Sequence, residues 1–432
     1  MKLKSSPEDF RVEEITDVKP ASGPHALYRL DKQGLGTPEA IAEVLSRWNI
    51  ARHQISYGGL KDRHASTTQY FTIFHGPKTG FQDRSMQVDY LGQTRHPFHA
   101  KDIAANRFEI KLRKIDSSLR PLLDQRAAWL QSFGAINYFD DQRFGSLGLS
   151  GEWIGLHWCK ANYERALYLA LAEQNPHDRP REKEQKEILR TYWNQWEKCK
   201  AILDRSHRRS VVTYLVDHPT DFKRALALVR QDLRGIYIAA FQSGIWNRWL
   251  STLVDAFNEQ KTRVYLDSKC GPLALPNLSD NANQLRWRNA IPESLPLPSA
   301  RQHDWPENTL PALEAVLAPL DITVRELRLK YPRDTFFSRG QRAICLSIPH
   351  FEHTWLPSQT PSQLDWSLRF QLPRGSYATM VIRQLFTALD DEPLDLSALD
   401  EPANEEQNEK PNEESQASES TSPPSPDQNE NH

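Results

Sequence analysis

The chain has 432 residues, 38% hydrophobic and 25% charged, with a formal net charge of −2 at neutral pH. That length allows two domains with sizeable cores, and no apolar run approaches the roughly 18 residues of a membrane span. The four cysteines, Cys159, Cys199, Cys270 and Cys345, lack C-x-x-C spacing, which argues against a local zinc knuckle or redox pair and points to a reducing, cytoplasmic compartment.

In chain order, Met1-Lys2-Leu3-Lys4-Ser5-Ser6-Pro7 has no apolar stretch behind its charges, so no secretory leader is expected. Phe10-Arg11-Val12-Glu13-Glu14-Ile15 and Ala26-Leu27-Tyr28-Arg29-Leu30 alternate as half-buried strands. Thr37 is placed as the N-cap of a helix, with Pro38 in the first turn, Glu39 complementing the dipole, and Ile41, Val44, Leu45 and Trp48 along one face. Tyr57-Gly58-Gly59-Leu60-Lys61-Asp62-Arg63-His64-Ala65 then reads as a tight loop with one carboxylate between two cations. A strand rich in Thr and aromatic residues follows, from Gln69 to Ile73. An acidic side chain offered beside a rigid strand suits chemistry. The same run also reads as a solvated turn, and spacing alone does not separate the two. A strand at Arg107–Leu112 and a helix over Ser118–Phe133 follow without a regular βα repeat, which favours α+β over a doubly wound parallel sheet.

Residues 163–255 are helical in pattern and dense in charge. Thr220 is placed as the cap of a helix through Arg230, and a second helix, about Arg234 to Phe257, carries Tyr237, Phe241, Trp246 and Trp249 for packing. Seven prolines between Cys270 and Pro311 predict irregular chain. Strand patterns return at Ala343–Ile348 and Ser367–Leu372, and a last helix begins near Ser376. From Asp390 to His432 there are 14 acidic residues and one basic residue, Lys410, so residues 1–389 carry 53 Lys/Arg against 42 Asp/Glu. The acidic stretch lacks the apolar surface to offset the entropy of ordering and is expected to be disordered. The body is basic, as suits a protein that meets a polyanion, though an excess this moderate is shared by many metabolic enzymes.

Three more clusters stand out: Lys4 with Pro7-Glu8-Asp9-Phe10 and Glu13; Asn137-Tyr138-Phe139-Asp140-Asp141-Gln142-Arg143-Phe144-Gly145; and Leu372-Pro373-Arg374-Gly375-Ser376-Tyr377-Ala378-Thr379. Polar side chains interleaved with aromatics, as in the second, can hydrogen-bond a base and stack on it, or simply plug a core beside a turn. Together with Tyr57, Gly59, Lys61-Asp62, Ala65, Thr67 and Gln69, and with Asn106, Phe108 and Arg113, the chain resembles the TruD family of pseudouridine synthases. Arg234, Ala240, Gln242-Ser243 and Asn247 match the helix early in that family's inserted domain.

The resemblance implies an α+β fold: a pseudouridine-synthase-type catalytic domain with a mixed, largely antiparallel sheet, interrupted by a helix-rich TRUD domain. The expected division is 1–162 and 329–396 for the catalytic domain, 163–328 for the insert and 397–432 for a disordered acidic tail. The implied activity is isomerisation of uridine to pseudouridine in tRNA, usually at position 13, by a monomer without metal, cofactor or membrane. Asp62 is implied as the catalytic residue, acting on the flipped-out uridine either by attack on the sugar carbon or by removal of a sugar proton. Lys4 is implied as its cationic partner, with Phe139 stacking on the uracil, Asn137 hydrogen-bonding in the site and Phe10 packing beside them. Asp140 stands where the family has glycine and is expected to point away from the pocket; Ala100 and Ala105 also replace glycines. Two other classes fit parts of the pattern: an RNA-binding or chaperone protein on the same scaffold without catalysis, and a hydrolase using Asp62 with His64. The second lacks the positioned third group such a dyad needs.

Overall fold

The computed structural model describes residues 6–176, 178–258, 264–276, 281–348 and 350–387. Lys4 and the acidic segment from Asp390 onward lie outside the described residues. The first stretch comprises β1 (Phe10–Ile15), β2 (His25–Gln33), α1 (Thr37–Trp48), β3 (Ile55–Tyr57), β4 (Ser66–Phe74), β5 (Phe81–Gln82), β6 (Met86–Thr94), β7 (Ala105–Asp116), α2 (Arg120–Phe133) and β8 (Ala135–Ile136). Helices then dominate: α3 (Ile154–Cys159), α4 (Tyr163–Leu171), α5 (Pro180–Thr191), α6 (Trp196–Ile202), α7 (His207–Asp217), α8 (Phe222–Leu228) and α9 (Gln231–Phe257). They are followed by β9 (Val264–Leu266), β10 (Leu273–Leu275), α10 (Asn281–Ala290), β11 (Ser294–Pro296) and α11 (Leu310–Leu317). The chain closes with β12 (Gln341–Ala343), β13 (Cys345–Leu346), β14 (Glu352–Pro357), β15 (Gln363–Pro373) and α12 (Ala378–Phe386).

Nine strands form one sheet in the order β14-β15-β7-β1-β4-β2-β6-β5, with β3 joined to β4. Among the described residues β1 and β4 are its one parallel pair, Val12 opposite Thr67; the sheet is mixed and largely antiparallel, as expected. Alternation then decides which side chains share a face. Phe10, Val12 and Glu14 of β1 lie on the face that carries Phe108 and Ile110 of β7, Leu368, Phe370 and Leu372 of β15, and Gln69, Phe71 and Ile73 of β4. Over β15 and β7 this face is covered by Leu123, Ala127 and Leu130 of α2 and Val381, Ile382 and Leu385 of α12. Over β2 and β4 it is covered by Ala40, Ile41 and Val44 of α1. The Gly58–Ala65 loop therefore lies between two helical covers on one face, with Ala65 buried in the first of them.

A separate core gathers the helices of the middle region around α9, whose Phe241, Trp246, Trp249 and Leu250 are buried. The aromatics of that helix are packing residues, as their spacing predicts. At α3 the backbones approach closely: a Cβ on Gly155 would lie 2.6 Å from Phe241, and one on Gly244 would lie 2.7 Å from the Trp153 ring.

Three local expectations shift. Gly36, not Thr37, is the N-cap of α1; its N–H donates to Glu39 Oε2 (2.8 Å) while the Thr37 hydroxyl is engaged elsewhere. Asp221, not Thr220, caps α8, accepting from Arg224 N, and the helix stops at Leu228 before α9 begins. The proline-rich span 270–311 is not wholly irregular, since β10, α10 and β11 fall between its breakers. Among the described residues no helix is long and apolar enough to cross a membrane.

Gly244→Val should destabilise the protein by about 1–3 kcal/mol through overpacking against Trp153, read as a lower urea midpoint; unchanged stability would mean that Trp153 yields freely.

Candidate active site

The Gly58–Ala65 loop is fixed from below by buried charge. Lys61 Nζ pairs with Glu14 Oε1 (3.1 Å) and donates to Asn106 Oδ1 (2.7 Å), and the Glu14 side chain is wholly inaccessible. The Lys61 N–H donates to Thr37 Oγ1 (2.8 Å), whose hydroxyl in turn donates to Gln69 Oε1 (2.8 Å). Lys32, only 2% exposed, donates to the carbonyl oxygens of Leu35 (2.6 Å) and Asp62 (3.0 Å). Burial pushes the Lys32 pKa down to about 8; the Asp62 charge opposes this shift and the Lys61 charge adds to it. Gly58 lets the loop press close, because a Cβ there would meet Ile103 at 2.5 Å. The Asp62 side chain itself is exposed, with Oδ1 accepting from His64 N (2.9 Å).

Register carries this loop to a cavity. Asn106, held by Lys61, pairs with Leu372, and Ala105 pairs with Pro373. Strands are about 4.8 Å apart and advance about 3.3 Å per residue, so Pro373 lies within one strand and one residue of Asn106. Pro373, Arg374 and Ser376 form one wall of a cavity of about 340 Å³. Asn137, Phe139 and Arg143 form another, and Gln242 and Ser243 of α9, Ser338 and the Gln341–Ala343 strand also line it.

Arg342 organises the interior. Its Nε donates to the Asn137 carbonyl (3.0 Å), Nη2 to Asn137 Oδ1 (2.6 Å) and Nη1 to the Gly375 carbonyl (3.1 Å). Its guanidinium lies over the Phe139 ring, 3.9 Å from the centroid, and Trp246 meets that ring edge-on at 5.5 Å. The guanidinium plane and the ring both line the cavity, and both are surfaces on which bases stack. Burial pushes the Arg342 pKa down to about 10, so it stays charged at neutral pH. Asn137 Nδ2 donates to the Ala343 carbonyl (2.8 Å). Asn247 of α9 clamps Phe139 from behind, accepting from its N–H (2.8 Å) and donating to its carbonyl (2.9 Å).

Of the residues singled out from sequence, Asn137 and Phe139 line the cavity, and Asp62 sits on the loop tied to its Pro373 wall. Phe10 does not line it. The ring is buried at the start of β1 with Ala65, Phe108 and Phe370. Asp9 beside it is held by Arg113 through two bonds of 2.6 and 2.7 Å. Asp140 is turned into the protein: its carboxylate caps Gln142 N (2.9 Å) and accepts from the Thr379 hydroxyl, and burial raises its pKa. Arg342 and Lys32 were missed. A lysine at an inward position of an alternating strand was a readable signal for Lys32, since Leu30 and Lys32 share a face. Arg342 left none, because β12 is three residues long. Among the described residues no group of three or more His, Cys, Asp or Glu side chains is placed to hold a metal ion.

Residues 1–385 match the profile of the family described as tRNA pseudouridine synthase D (TruD). A Methanococcus maripaludis protein named probable tRNA pseudouridine synthase D 1 is 28% identical over 407 residues, covering 90% of this chain and all of that one. The tRNA pseudouridine synthase D of Aquifex aeolicus is 25% identical over 395 residues, 89% of this chain and 98% of its own. In fold, the crystal structure of the TruD protein from Methanosarcina mazei superposes with a TM-score of 0.68 at 23% identity, covering 89% of this chain and 93% of that one.

Lys32→Met should free the loop: amide exchange at Asp62 and Arg63 should speed up at least about fivefold, the loss of one hydrogen bond of about 1 kcal/mol. Because the folded pKa of Lys32 lies below its unfolded value, its charge costs stability in full below pH 8, and the cost is relieved between about pH 8 and 10.5. Wild type should therefore gain stability relative to Lys32→Met across that window; parallel pH–stability curves would refute the assignment.

Proposed function

The chain belongs to the TruD family of tRNA pseudouridine synthases, and from that membership we propose that Asp62 is the carboxylate with which it isomerises uridine. The enzyme converts uridine to pseudouridine in tRNA. The reaction balances within the nucleoside: the bond from the sugar carbon to N1 breaks, the uracil turns, C5 bonds to the same carbon, and the proton lost from C5 is matched by one gained at N1. What the protein must supply is a carboxylate at the sugar and a pocket that keeps the cleaved base.

The observation that carries the Asp62 reading is its mounting. An exposed carboxylate stands on a loop whose backbone is held by the buried Lys32 and whose Lys61 is rooted on the buried Glu14 and on Asn106, one strand and one residue from the Pro373 wall of the cavity that contains Asn137 and Phe139. Asn137 and Phe139 are proposed to receive the uracil, the base stacking on the guanidinium-covered ring. Lys4 is proposed as the cation facing Asp62. In support, β1 starts beside β4 with Arg11 opposite Ser66, so chain preceding Phe10 enters at the Asp62 end of β4. Phe10 is proposed to act from beneath, packing the loop against β1.

The proposed domain division is 1–162 and 329–396 around an insert at 163–328; in support, the nine-stranded sheet takes no strand from 163–328. A monomer is proposed because one chain brings its Asp62 loop and cavity together. A cytoplasmic setting is proposed because all four cysteines are free. Uridine 13 is the proposed target, on the family resemblance.

Asp62→Asn should abolish pseudouridine formation while tRNA binding persists, measured on unmodified tRNA with site mapping. Turnover at the parent rate would remove Asp62 from the chemistry, and a wild-type protein that binds tRNA without forming pseudouridine would indicate a binding scaffold.

A further inference from the structure

The cavity is charged on one side of the ledger only. Arg143, Arg342 and Arg374 all line it, and among the described residues no carboxylate does. Several other inner arginines have counter-charges: Arg113 meets Asp9, Arg208 meets Glu182, Arg234 meets Asp334 and Arg383 meets Asp141, whereas Arg126 and Arg248, which line no wall of this cavity, bond to the Leu385 and Cys270 carbonyls. Arg342 bonds only to neutral groups, two atoms of Asn137 and the Gly375 carbonyl. A guanidinium taken out of water without an anion is expensive to hold and is retained where an anion arrives from outside.

The donors are also spare. Arg342 has five N–H groups and uses three, leaving two. Arg143 spends only Nε, on Ser243 Oγ at 3.5 Å, and its side chain is exposed. Arg374 is exposed at the rim between Pro373 and Gly375. A planar fork with free N–H groups matches the paired oxygens of a phosphodiester better than a point charge does.

We propose that Arg143, Arg342 and Arg374 form a phosphodiester subsite that grips the backbone phosphate flanking the target uridine. This rests on the RNA-modifying function proposed above. Arg342 supplies its plane to the base and its free edge to the phosphate, while Arg143 and Arg374 close on the same anion from the two walls. The nucleotide is thus held by base and phosphate on either side of the sugar on which Asp62 acts.

The test measures tRNA affinity against salt for wild type, Arg143→Gln, Arg374→Gln and the double variant. Both arginines are exposed, so folding should be unaffected, and thermal unfolding checks this. Each single variant should lose about tenfold or more in affinity at low salt. Each should also flatten the slope of log K against log salt by about 0.7 to 0.9. A methylphosphonate placed 5′ and then 3′ of the converted uridine should weaken wild type at one of the two positions and cost the double variant, which keeps Arg342, clearly less. Weakened binding with an unchanged salt slope, or methylphosphonates that cost the double variant as much as wild type, would overturn the subsite. Failure of wild type to form any pseudouridine would instead overturn the functional reading, independently of these slopes.

Discussion

The site depends on two lysines that anchor one loop, Lys32 buried beneath it and Lys61 reaching down from it to a buried glutamate. Lys61 is paired with Glu14, but Lys32 meets only carbonyl oxygens, so the platform under the loop holds two positive charges against one negative. Desolvation makes that arrangement costly, which is why the Lys32 pKa falls to about 8. The Asp62 charge favours the protonated lysine, so carboxylate and platform belong to one electrostatic unit. The glycines, the Thr37 hydroxyl and the register of β1, β4 and β7 are the means by which the backbone is brought down onto these charges.

The second requirement is a pocket, and it is assembled from segments far apart in the chain. The nine-stranded sheet supplies Pro373 at the end of β15, the two-stranded β8–β13 pair leads into Asn137, and α9 supplies Gln242, Ser243 and the Asn247 clamp behind Phe139. The long helix α9 therefore positions Phe139, a residue of the segment that follows β8. Packing explains why α9 can reach so far: Gly244 and Gly155 let it lie directly against Trp153 and α3.

Much of this was legible in the sequence, for identifiable reasons. Strands such as Phe10–Ile15 alternate cleanly because one face is buried, and α1 announces itself through Pro38 and its apolar stripe. The Asp62 loop was visible from its paired glycines and clustered charges, although only its distant partners separated it from a solvated turn. Asn137 and Phe139 were reached through family resemblance, not through spacing. What stayed hidden was tertiary. Thr37 reads as a cap until Lys61 and Gln69 take its hydroxyl. Arg342 lies in a three-residue strand without periodicity, and its meaning comes wholly from the ring and amide it covers. The prolines of 270–311 masked α10, because breakers mark boundaries without saying what lies between them.

The segment from Ile136 to Asp141 is held by the last helix of the described chain. Gln384 pairs with both the N–H and the carbonyl of Ile136, Thr379 bonds Asp140, and Arg383 pairs with Asp141. β15, which provides the Pro373 wall, likewise joins β7 across some 250 residues of intervening chain. Contacts of such long sequence separation form late. On a ribosome, the Asp62 loop and its lysines would emerge first, Asn247 and Arg342 would later meet Phe139 and Asn137, and the flanking Ile136, Asp140 and Asp141 would stay unbraced until α12 cleared the exit tunnel. A nascent chain would thus carry its carboxylate through most of synthesis without a finished pocket to serve, so catalytic competence waits on the final helix.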